Sequence, residues 1–308
     1  MPGDQLHVGR TRRIEAPHPI DLAATLFPLR RGHRDPTTRI RGREAVRAVR
    51  TTDGPATLHL VSSDPRIVDA EAWGPGAGLA LEAAPGLVGA LDDDAGFVPM
   101  HPALEEVWRR RPGVRLTRTG DVVQTLIPAI LEQKVTGHEA RRAYARLTWA
   151  TGDPAPGPFD GLRLPPDPRR VATLGSSAFH PFGVERRRAE LIGRICHEAA
   201  RLEPLADAAP HALGARLRVI PGIGPWTVAE VARLALGDPD AVSVGDYHLP
   251  NLVAWALAGE PRADDARMLE LLEPYRGHRG RVQRLLEASG IAAPRFGPRM
   301  APRQIERI

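Results

Sequence analysis

The segment "RVIPGIGPWTVAE", residues 218–230, places two glycines and two prolines in five consecutive positions just before a helical pattern. Gly222 and Gly224 have no Cβ and can adopt positive φ, so another chain can approach the main chain closely. Pro225 suits the first turn of a helix, where its missing N–H costs nothing. The N–H groups of such a turn favour an anion such as a phosphate. A plain corner between two helices, with glycines chosen for packing, is the alternative.

A carboxylate stands downstream of this turn, in "GDPDAVSVGDYH", residues 237–248. Asp246 follows a short apolar run and heads a predicted helix. A carboxylate fixed there can orient or deprotonate a water molecule and can stabilise developing positive charge. The same residue would also serve as a helix N-cap, which needs no catalytic role. Its distance from the glycine turn favours the catalytic interpretation.

Other reactive side chains are scarce. Lys134 is the only lysine, so a mechanism that needs an amine side chain as nucleophile has one candidate. Cys196 is the only cysteine, which excludes a disulfide, a cysteine-ligated zinc site or an iron–sulfur cluster built within this chain. The segments "HEARR" at His138 and "HEAAR" at His197 lack the second histidine of the H-E-x-x-H zinc motif. A GxxxxGK[ST] nucleotide loop is also absent.

The elements that would position these groups form a mixed N-terminal part and a helical remainder. Residues 1–98 combine a short helix in "HPIDLAATLF", two strands around a turn at 53–55, and the alternating strand "VDAEAW". Helical spacing dominates from residue 99, interrupted by the proline-rich surface loop "TGDPAPGPFDGLRLPPDP". We therefore predict a mostly α protein with an N-terminal α+β domain (1–98).

Composition sets the broad class. The chain has 308 residues, 42% of them hydrophobic, and a formal net charge of +5. This length allows two or three packed layers or subdomains, and the basic balance is compatible with a polyanionic partner. The N-terminus has no apolar core of signal-peptide type, and no long uncharged apolar run would span a membrane. These features predict a soluble, cytoplasmic protein.

The segment "IPGIGPWTVAEVARLALGDPDAVSVGDYH" resembles the helix–hairpin–helix and Gly/Pro-then-Asp element of the HhH-GPD superfamily of DNA glycosylases. The likeness is greatest to the alkylbase type, the bacterial 3-methyladenine DNA glycosylases II. "AILEQKVT" is similar to the family's helix that enters the DNA-facing wedge region, and "GVERRRAELI" to the helix before the hairpin. The resemblance covers nearly the whole chain and is strongest around 120–140 and 215–252. It implies a helical bundle in two subdomains behind the N-terminal α+β domain: a subdomain that carries the aspartate (99–120 and 239–308) and a bundle that contains the helix–hairpin–helix (121–238).

In this family the aspartate downstream of the hairpin is catalytic, and here it is Asp246. Cleavage of a base from deoxyribose develops positive charge on the sugar, which a carboxylate stabilises. Members that also cut the strand carry a lysine after the hairpin and form a Schiff base. Trp226 holds that position here, as in the alkylbase enzymes. The resemblance therefore implies attack by water, with Trp226 stacked on the flipped base, while a core role for Trp226 is the alternative.

The remaining pocket residues are also implied by the resemblance. The base pocket would contain Trp226, Tyr247 and Glu230. Glu230 stands where the alkylbase enzyme has a tyrosine, and the family's late pocket tryptophan is not evident. Glu230 is therefore either a second polar group in the pocket or a residue that faces solvent. His248 would bind a phosphate or cap the following helix.

DNA contacts are implied for the hairpin and the wedge region, at Gly222, Gly224, Thr227, Gln133, Lys134 and His248. Lys134 replaces the apolar wedge of the alkylbase relatives. It would either fill the gap left by the flipped nucleotide or pair with phosphates and leave Gln133 or a neighbour to fill the gap. Family members also bind a monovalent cation, Na⁺ or K⁺, which by position would contact the main-chain carbonyls of Arg218, Ile220 and Ile223.

The function implied is that of a monofunctional base-excision-repair glycosylase that flips alkylated purines out of double-stranded DNA and hydrolyses the N-glycosidic bond. No cofactor is required, and the protein would act as a monomer. Two alternatives stay open: a non-catalytic helix–hairpin–helix protein that binds DNA, and a glycosylase/lyase for other base lesions that uses Lys134.

Overall fold

The computed structural model describes residues 9–294 and Ile305. Its first elements are β1 (Arg10–Glu15), α1 (Leu22–Leu26), β2 (Thr38–Arg41), β3 (Glu44–Thr51), β4 (Gly54–Asp64), β5 (Ile67–Trp73) and α2 (Ala77–Leu87). The short helix, the two strands around the 53–55 turn and the alternating strand are confirmed.

The five strands form one antiparallel sheet in the order β1-β5-β4-β3-β2. Thr51 pairs with Gly54, so two residues close the β3–β4 hairpin, and Gly54 has a φ of 122° that favours glycine. Alternate residues of β5 are buried, with Val68, Ala70 and Ala72 facing the core that the sheet shares with α2. This packing produces the α+β character of the N-terminal region.

The rest of the described chain is helical. Its helices are α3 (Pro102–Arg110), α4 (Val122–Glu132), α5 (Gly137–Thr151), α6 (Pro168–Ala172), α7 (Arg186–His197), α8 (Ala199–Leu202), α9 (Pro210–Arg218), α10 (Pro225–Val231), α11 (Leu249–Ala258), α12 (Asp265–Leu272) and α13 (Arg279–Ser289).

Helix α4 lies at the centre of the larger helical core. Leu126, Ile127, Ile130 and Leu131 are fully buried, and they pack with apolar residues of α5, α7, α9 and α10. A helix that is apolar on nearly all sides is stable only inside a core. Pro128 lies inside α4 rather than in its first turn.

Two carboxyl groups meet at the N-terminus of α4. Asp121 accepts a hydrogen bond from Gln124 N at 3.0 Å, and Glu203 accepts from Val122 N at 3.0 Å and from Val123 N. Burial raises the pKa of Asp121, and burial together with the charge of Asp121 raises the pKa of Glu203. The pair therefore binds a proton more tightly in the folded protein than either group does in water.

The second helical core joins α3 to α11, α12 and α13. Its buried residues include Leu104, Val253, Met268 and Leu285. This core brings residues near 100–110 against the last helices, as expected if the chain returns to one subdomain. The boundaries 1–98, 99–120 with 239–308, and 121–238 stay a prediction, and their outermost parts, 1–8 and most of 295–308, lie outside the described residues.

The segment after α10 differs from the expected plain α-helix. Residues Ala232–Leu236 form a π-helical turn, and Gly237 ends it with a φ of 68°. Main-chain N–H groups of Thr119 and Gly120 donate to the carbonyls of Leu234 and Ala235. The approach of that segment accounts for a locally widened helix, since the two carbonyls find partners outside it.

The proline-rich loop is ordered, as predicted. Pro154 and Arg163 form an isolated antiparallel bridge, and Leu162 and Leu164 are buried against Val46 and Ala48 on β3. Across residues 9–294, no helix is both long and apolar enough to cross a bilayer.

Candidate active site

The hairpin joins α9 to α10, and its two glycines are used differently. Gly222 has a φ of 102°, and a Cβ on it would lie 3.0 Å from Leu191 Cδ2. Gly224 has a φ of −101°, and a Cβ on it would meet nothing within 4 Å. The turn itself therefore requires a glycine at 222, whereas at 224 the protein leaves open space outside the main chain.

The start of α10 has free main-chain donors. Within residues 9–294, the N–H groups of Gly224, Trp226 and Thr227 donate no hydrogen bond to another protein group. Pro225 has no N–H, and the first intrahelical bond runs from Val228 N to Gly224 O at 3.1 Å. Free N–H groups at a helix N-terminus attract anions.

Gln133 connects the end of α4 to the hairpin. Its Nε2 donates to Gly222 O at 3.1 Å and to Thr227 Oγ1 at 2.9 Å. The side chain of Thr227 is buried, so only its main-chain N–H is available to a partner outside the protein. The predicted wedge region and the hairpin thus form one surface.

Lys134 follows directly and is exposed. Its φ is 54°, and it is the one non-glycine residue with positive φ in the described part of the chain. Such a conformation costs energy and is found more often at binding sites. The capping box of α5, in which Thr136 and Glu139 exchange hydrogen bonds, fixes the chain just beyond Lys134.

Asp246 is held by three donors at the start of α11. Its Oδ1 accepts from His248 N at 2.7 Å and from Leu249 N at 2.9 Å. Its Oδ2 accepts from the indole Nε1 of Trp226 at 3.1 Å. Gly245, with a φ of 91°, supports the turn before it. The N-cap position of α11 is His248, whose side chain makes no cap hydrogen bond, so Asp246 lies in the turn before the helix and binds the first N–H groups at its start.

A cavity of about 310 Å³ opens beside this pair. It is lined by Pro28, Glu132, Trp226, Glu230, Arg233, Leu234, Asp246, His248, Leu249, Leu252, Gln283 and Glu287. Cavities of this size accommodate small organic groups. A larger open groove, formed by 19–21 and 110–113, shares no lining residue with it, and its only carboxylate, Asp21, caps α1.

One wall of the cavity is a buried ionic network. Arg233 Nη1 donates to Glu230 Oε1 at 2.8 Å, and its Nη2 donates to Glu287 Oε2 at 2.9 Å. The Ser243 hydroxyl also donates to Glu230 Oε1, and Gln283 Nε2 donates to Glu287 Oε1 at 2.8 Å. Each carboxylate is therefore anchored by a charged and a neutral donor.

The network changes the acidity of its members. Burial raises the pKa of Glu230, and Glu287 adds to this effect, whereas Arg233 opposes it. Burial would lower the pKa of Arg233, but Glu287 and Glu230 outweigh it and the pKa is raised. Arg233 is thus a permanent cation between two carboxyl groups.

The predicted pocket residues are brought together with one exception. Trp226 and Glu230 line the cavity, and Glu230 faces it rather than bulk solvent. Asp246, predicted as the catalytic residue, and His248, predicted to bind a phosphate or cap the helix, line it too. Tyr247 does not line it: its side chain is 84% exposed, and its ring packs edge-on against that of His248. The chain turns at Asp246, whose carboxylate accepts from His248 N and Leu249 N, and the side chain of Tyr247 projects away from the cavity.

Several lining residues were missed at the sequence level. Arg233 stands three positions after Glu230, a helical spacing that could have indicated an ion pair. Pro28, Gln283 and Glu287 come from opposite ends of the chain, and no local pattern connects them to the hairpin.

The hairpin carbonyls are partly engaged. Ile220 O accepts from Ile223 N at 3.1 Å, whereas within residues 9–294 the carbonyls of Arg218 and Ile223 accept no hydrogen bond from a main-chain N–H of the turn. Arg218 ends α9, where the last helical carbonyls lack intrahelical partners. No group of three or more His, Cys, Asp or Glu side chains in the described residues could hold a metal ion.

Comparisons with known proteins give two relatives in sequence; no protein-family profile matches. The chain is 31% identical over 151 residues to a Mycobacterium tuberculosis protein named probable bifunctional transcriptional activator/DNA repair enzyme AlkA, an alignment covering 48% of this chain and 30% of that protein. It is 26% identical over 180 residues to the putative DNA-3-methyladenine glycosylase YfjP of Bacillus subtilis, covering 56% and 61%. The chain thus spans less than two thirds of the length of either relative.

Solved structures of the same fold cover nearly the whole chain. The 3-methyladenine DNA glycosylase of Archaeoglobus fulgidus has a TM-score of 0.74 and 18% identity, covering 90% of this chain and 97% of that one. The 8-oxoguanine glycosylase/lyase of Clostridium acetobutylicum has a TM-score of 0.69 and 11% identity, covering 92% and 99%. The chain therefore has the helix–hairpin–helix DNA glycosylase fold that its sequence predicted. The resemblance to the alkylbase type is confirmed by the named relatives.

Proposed function

We propose that the chain is a monofunctional DNA glycosylase that removes alkylated bases from double-stranded DNA by hydrolysis of the N-glycosidic bond. The observation that carries this proposal is the position of Asp246 beside the cavity, with its carboxylate oriented by Trp226 and by two main-chain N–H groups. The relatives in sequence bear the names of proteins for DNA repair and for 3-methyladenine removal.

DNA would bind across the hairpin and the end of α4. The free N–H groups at the start of α10 suit a phosphate, and the open space at Gly224 leaves room for it. Gln133 ties the exposed Lys134 to the same surface. Extrusion of a base from the duplex costs a few kcal/mol. In this arrangement the Lys134 side chain fills the gap or pairs with the flanking phosphates.

The flipped base would enter the cavity beside Trp226, whose ring face attracts a cationic purine. Departure of the base leaves positive charge on the deoxyribose. The Asp246 carboxylate stabilises that charge and orients the attacking water, which replaces the base on the sugar. An alkylated purine that already carries a positive charge needs little help to leave.

A lyase reaction is not favoured. Schiff-base formation needs an amine at the reacting carbon, and Trp226 stands at the position after the hairpin where a lyase carries its lysine. Lys134, the only lysine, lies instead in the exposed connection between α4 and α5.

We also propose that the hairpin holds Na⁺ or K⁺ through the carbonyls of Arg218, Ile220 and Ile223. Carbonyl oxygens are suitable ligands for such ions, and the end of α9 supplies carbonyls without helical partners. The ion would neutralise charge next to the phosphate site and take no part in the chemistry, which requires no cofactor.

The test uses the full chain and duplexes that each carry one modified base: 3-methyladenine, 7-methylguanine, hypoxanthine or 1,N6-ethenoadenine. Released base and apurinic sites are measured over time, and DNA binding is measured separately. Release of at least one alkylated purine is expected. Tight DNA binding with no release of any base would contradict the enzyme and favour a non-catalytic DNA-binding protein.

A further inference from the structure

We propose that Glu230 is the residue that determines which bases the cavity accepts, by taking a hydrogen bond from an N–H group of the extruded base. The selected substrates are then bases that carry a positive charge and N–H donors, in preference to neutral bases that present a lone pair or no donor. This inference rests on the proposed function and goes beyond it, because it assigns the discrimination among lesions to one carboxylate.

One of the two carboxylate oxygens of Glu230 is available to accept a hydrogen bond from a ligand. Within residues 9–294 both hydrogen bonds to its carboxylate, from Arg233 Nη1 and from the Ser243 hydroxyl, end on Oε1. Oε2 receives none, although the side chain is 84% buried and the residue lines the cavity. Oε2 is therefore an unused acceptor on the cavity wall that a ligand N–H can reach, and a hydrogen bond to a charged group contributes more than one between neutral groups.

The position of Glu230 suits contact with a base. It follows Trp226 by four residues on α10, and such residues lie next to each other on one face of a helix. A base that stacks on Trp226 would therefore present its edge toward Glu230, while the sugar remains beside Asp246. Stacking and edge recognition would come from two neighbouring side chains of one helix.

The carboxylate is also rigid. Arg233 is held between Glu230 and Glu287, and Gln283 is held by Ser243 and Glu287. Arg233 and Gln283 are both buried. An acceptor fixed in place by such partners discriminates better than a mobile one, because no binding energy is lost in ordering it.

The charge of the cavity acts in the same direction. Four carboxylates and one guanidinium line it, the former at Glu132, Glu230, Asp246 and Glu287. Glu132 is paired with Arg31 at 3.1 Å, and the other three carboxylates still outnumber the guanidinium. A cationic purine gains attraction from this surplus, and it gains more in a partly dry cavity than it would in water.

The candidate lesions differ in what they offer to an acceptor. 7-Methylguanine is cationic and carries N–H donors on its Watson–Crick edge, and 3-methyladenine keeps an exocyclic amino group. Hypoxanthine is neutral but also carries an N–H donor, at N1, whereas 1,N6-ethenoadenine is neutral and has no N–H on that edge. A site built around a hydrogen bond rejects analogues that lack the donor.

The test is the Glu230→Gln variant, in which an amide NH₂ group replaces the free oxygen and the other oxygen can still accept from Arg233. The kcat/KM ratio of 7-methylguanine to 1,N6-ethenoadenine is expected to fall by about tenfold to a hundredfold, the effect of a lost charged hydrogen bond. A purely structural role for Glu230 would lower both rates by the same factor and leave the ratio unchanged, which would overturn the inference.

Glu287→Gln is the matched control, since it removes the same charge from the cavity and leaves Glu230 Oε2 in place. In Glu287→Gln the kcat/KM ratio of the two bases is expected to change by no more than about threefold. On a logarithmic scale this is less than a third of the largest change expected in Glu230→Gln. Equal shifts in the two variants would assign selectivity to net charge and overturn the assignment to Glu230.

A second measurement needs no variant and covers the case in which Glu230→Gln does not fold. Wild-type protein is titrated with duplexes that carry the uncleavable 2′-fluoro nucleotides of 7-methylguanine and 1,N6-ethenoadenine, and the first should bind about tenfold more tightly. Equal Kd values would overturn the inference.

If wild type releases no base at all, the proposed function fails and this inference fails with it. If wild type releases base and the kcat/KM ratio is unchanged in Glu230→Gln, only this inference fails.

Discussion

The indole N–H of Trp226 donates a hydrogen bond to Oδ2 of Asp246 over 3.1 Å. Trp226 is in the first turn of α10, just after the hairpin, and Asp246 lies in the turn before α11, where it accepts from Leu249 N. One bond therefore connects the element proposed to hold DNA with the residue proposed to act on the sugar. Trp226 would thus have two functions: its ring face receives the base, and its edge orients the carboxylate.

Trp226→Phe separates these two functions, because phenylalanine keeps an aromatic face and has no N–H. We expect kcat to fall about fivefold to tenfold, the usual effect of one lost hydrogen bond, with DNA affinity almost unchanged. Trp226→Ala, which removes the face as well, should lose more. Single-turnover kinetics on a 7-methylguanine duplex measures the rates of both variants. An unchanged kcat in Trp226→Phe would show that the hydrogen bond has no catalytic function.

Gly224→Ala tests the hairpin as a phosphate site. A Cβ at this position meets nothing in the protein, so the melting temperature should not change. It would occupy the space in which a phosphate approaches, and the Kd for duplex DNA should rise about tenfold, as expected for weakened charged hydrogen bonds.

Gly222→Ala is the contrasting variant. Its φ of 102° is strained for alanine, and the new Cβ would lie 3.0 Å from Leu191. The free energy of unfolding should fall by about 1–3 kcal/mol. If Gly224→Ala destabilises the protein as much as Gly222→Ala, or leaves DNA affinity unchanged, the phosphate site is elsewhere.

Strand cleavage should be absent. Incubation with lesion-containing duplex and borohydride should trap no covalent adduct, since the only lysine lies in the exposed connection after α4 and Trp226 lies beside the cavity. The DNA strand should stay intact until alkali is added. An adduct that disappears in Lys134→Ala would show that the chain is a lyase.

The paired carboxyls Asp121 and Glu203 predict a pH dependence of stability. Burial raises the pKa of both groups, so the folded protein binds more protons than the unfolded chain above the ordinary carboxyl pKa. Stability contributed by this pair is therefore present at low pH and lost as pH rises from about 5 through neutrality.

Glu203→Gln removes one of the two charges and keeps an acceptor for Val122 N. Relative to wild type, the variant should gain about 1–2 kcal/mol between pH 5 and pH 8. Urea unfolding at the two pH values measures this difference. A parallel pH dependence in wild type and variant would mean that the pair does not share a proton.

Local patterns in the sequence were sufficient for much of the site. The glycines of the hairpin, Asp246 at a helix start and Trp226 after Pro225 are each visible within a dozen residues, because turns and caps have strong residue requirements. Three of the five strands, β3, β4 and β5, were also predictable, and alternating burial in "VDAEAW" follows from the geometry of one strand. Strands β1 and β2 were missed.

Contacts between distant segments could not be predicted in this way. Glu287 reaches Arg233 from α13, and Pro28 reaches the cavity from the N-terminal domain, with no local signal for either. Closeness in sequence is also not sufficient to predict a pocket residue. Tyr247 follows Asp246 directly, but the turn at Asp246 directs its side chain to solvent. The direction of a side chain beside a cap depends on main-chain geometry that residue types alone do not specify.

The central claim is that Asp246 carries out the reaction, and Asp246→Asn tests it most directly. Asparagine is also a good N-cap, so Oδ1 can still accept from His248 N and Leu249 N and the fold should be retained. Base release is measured under single-turnover conditions with protein in excess over a 7-methylguanine duplex, alongside DNA binding and thermal unfolding. We predict wild-type affinity and melting temperature, with a release rate lower by about a hundredfold to a thousandfold. Release by Asp246→Asn at the wild-type rate would contradict the account.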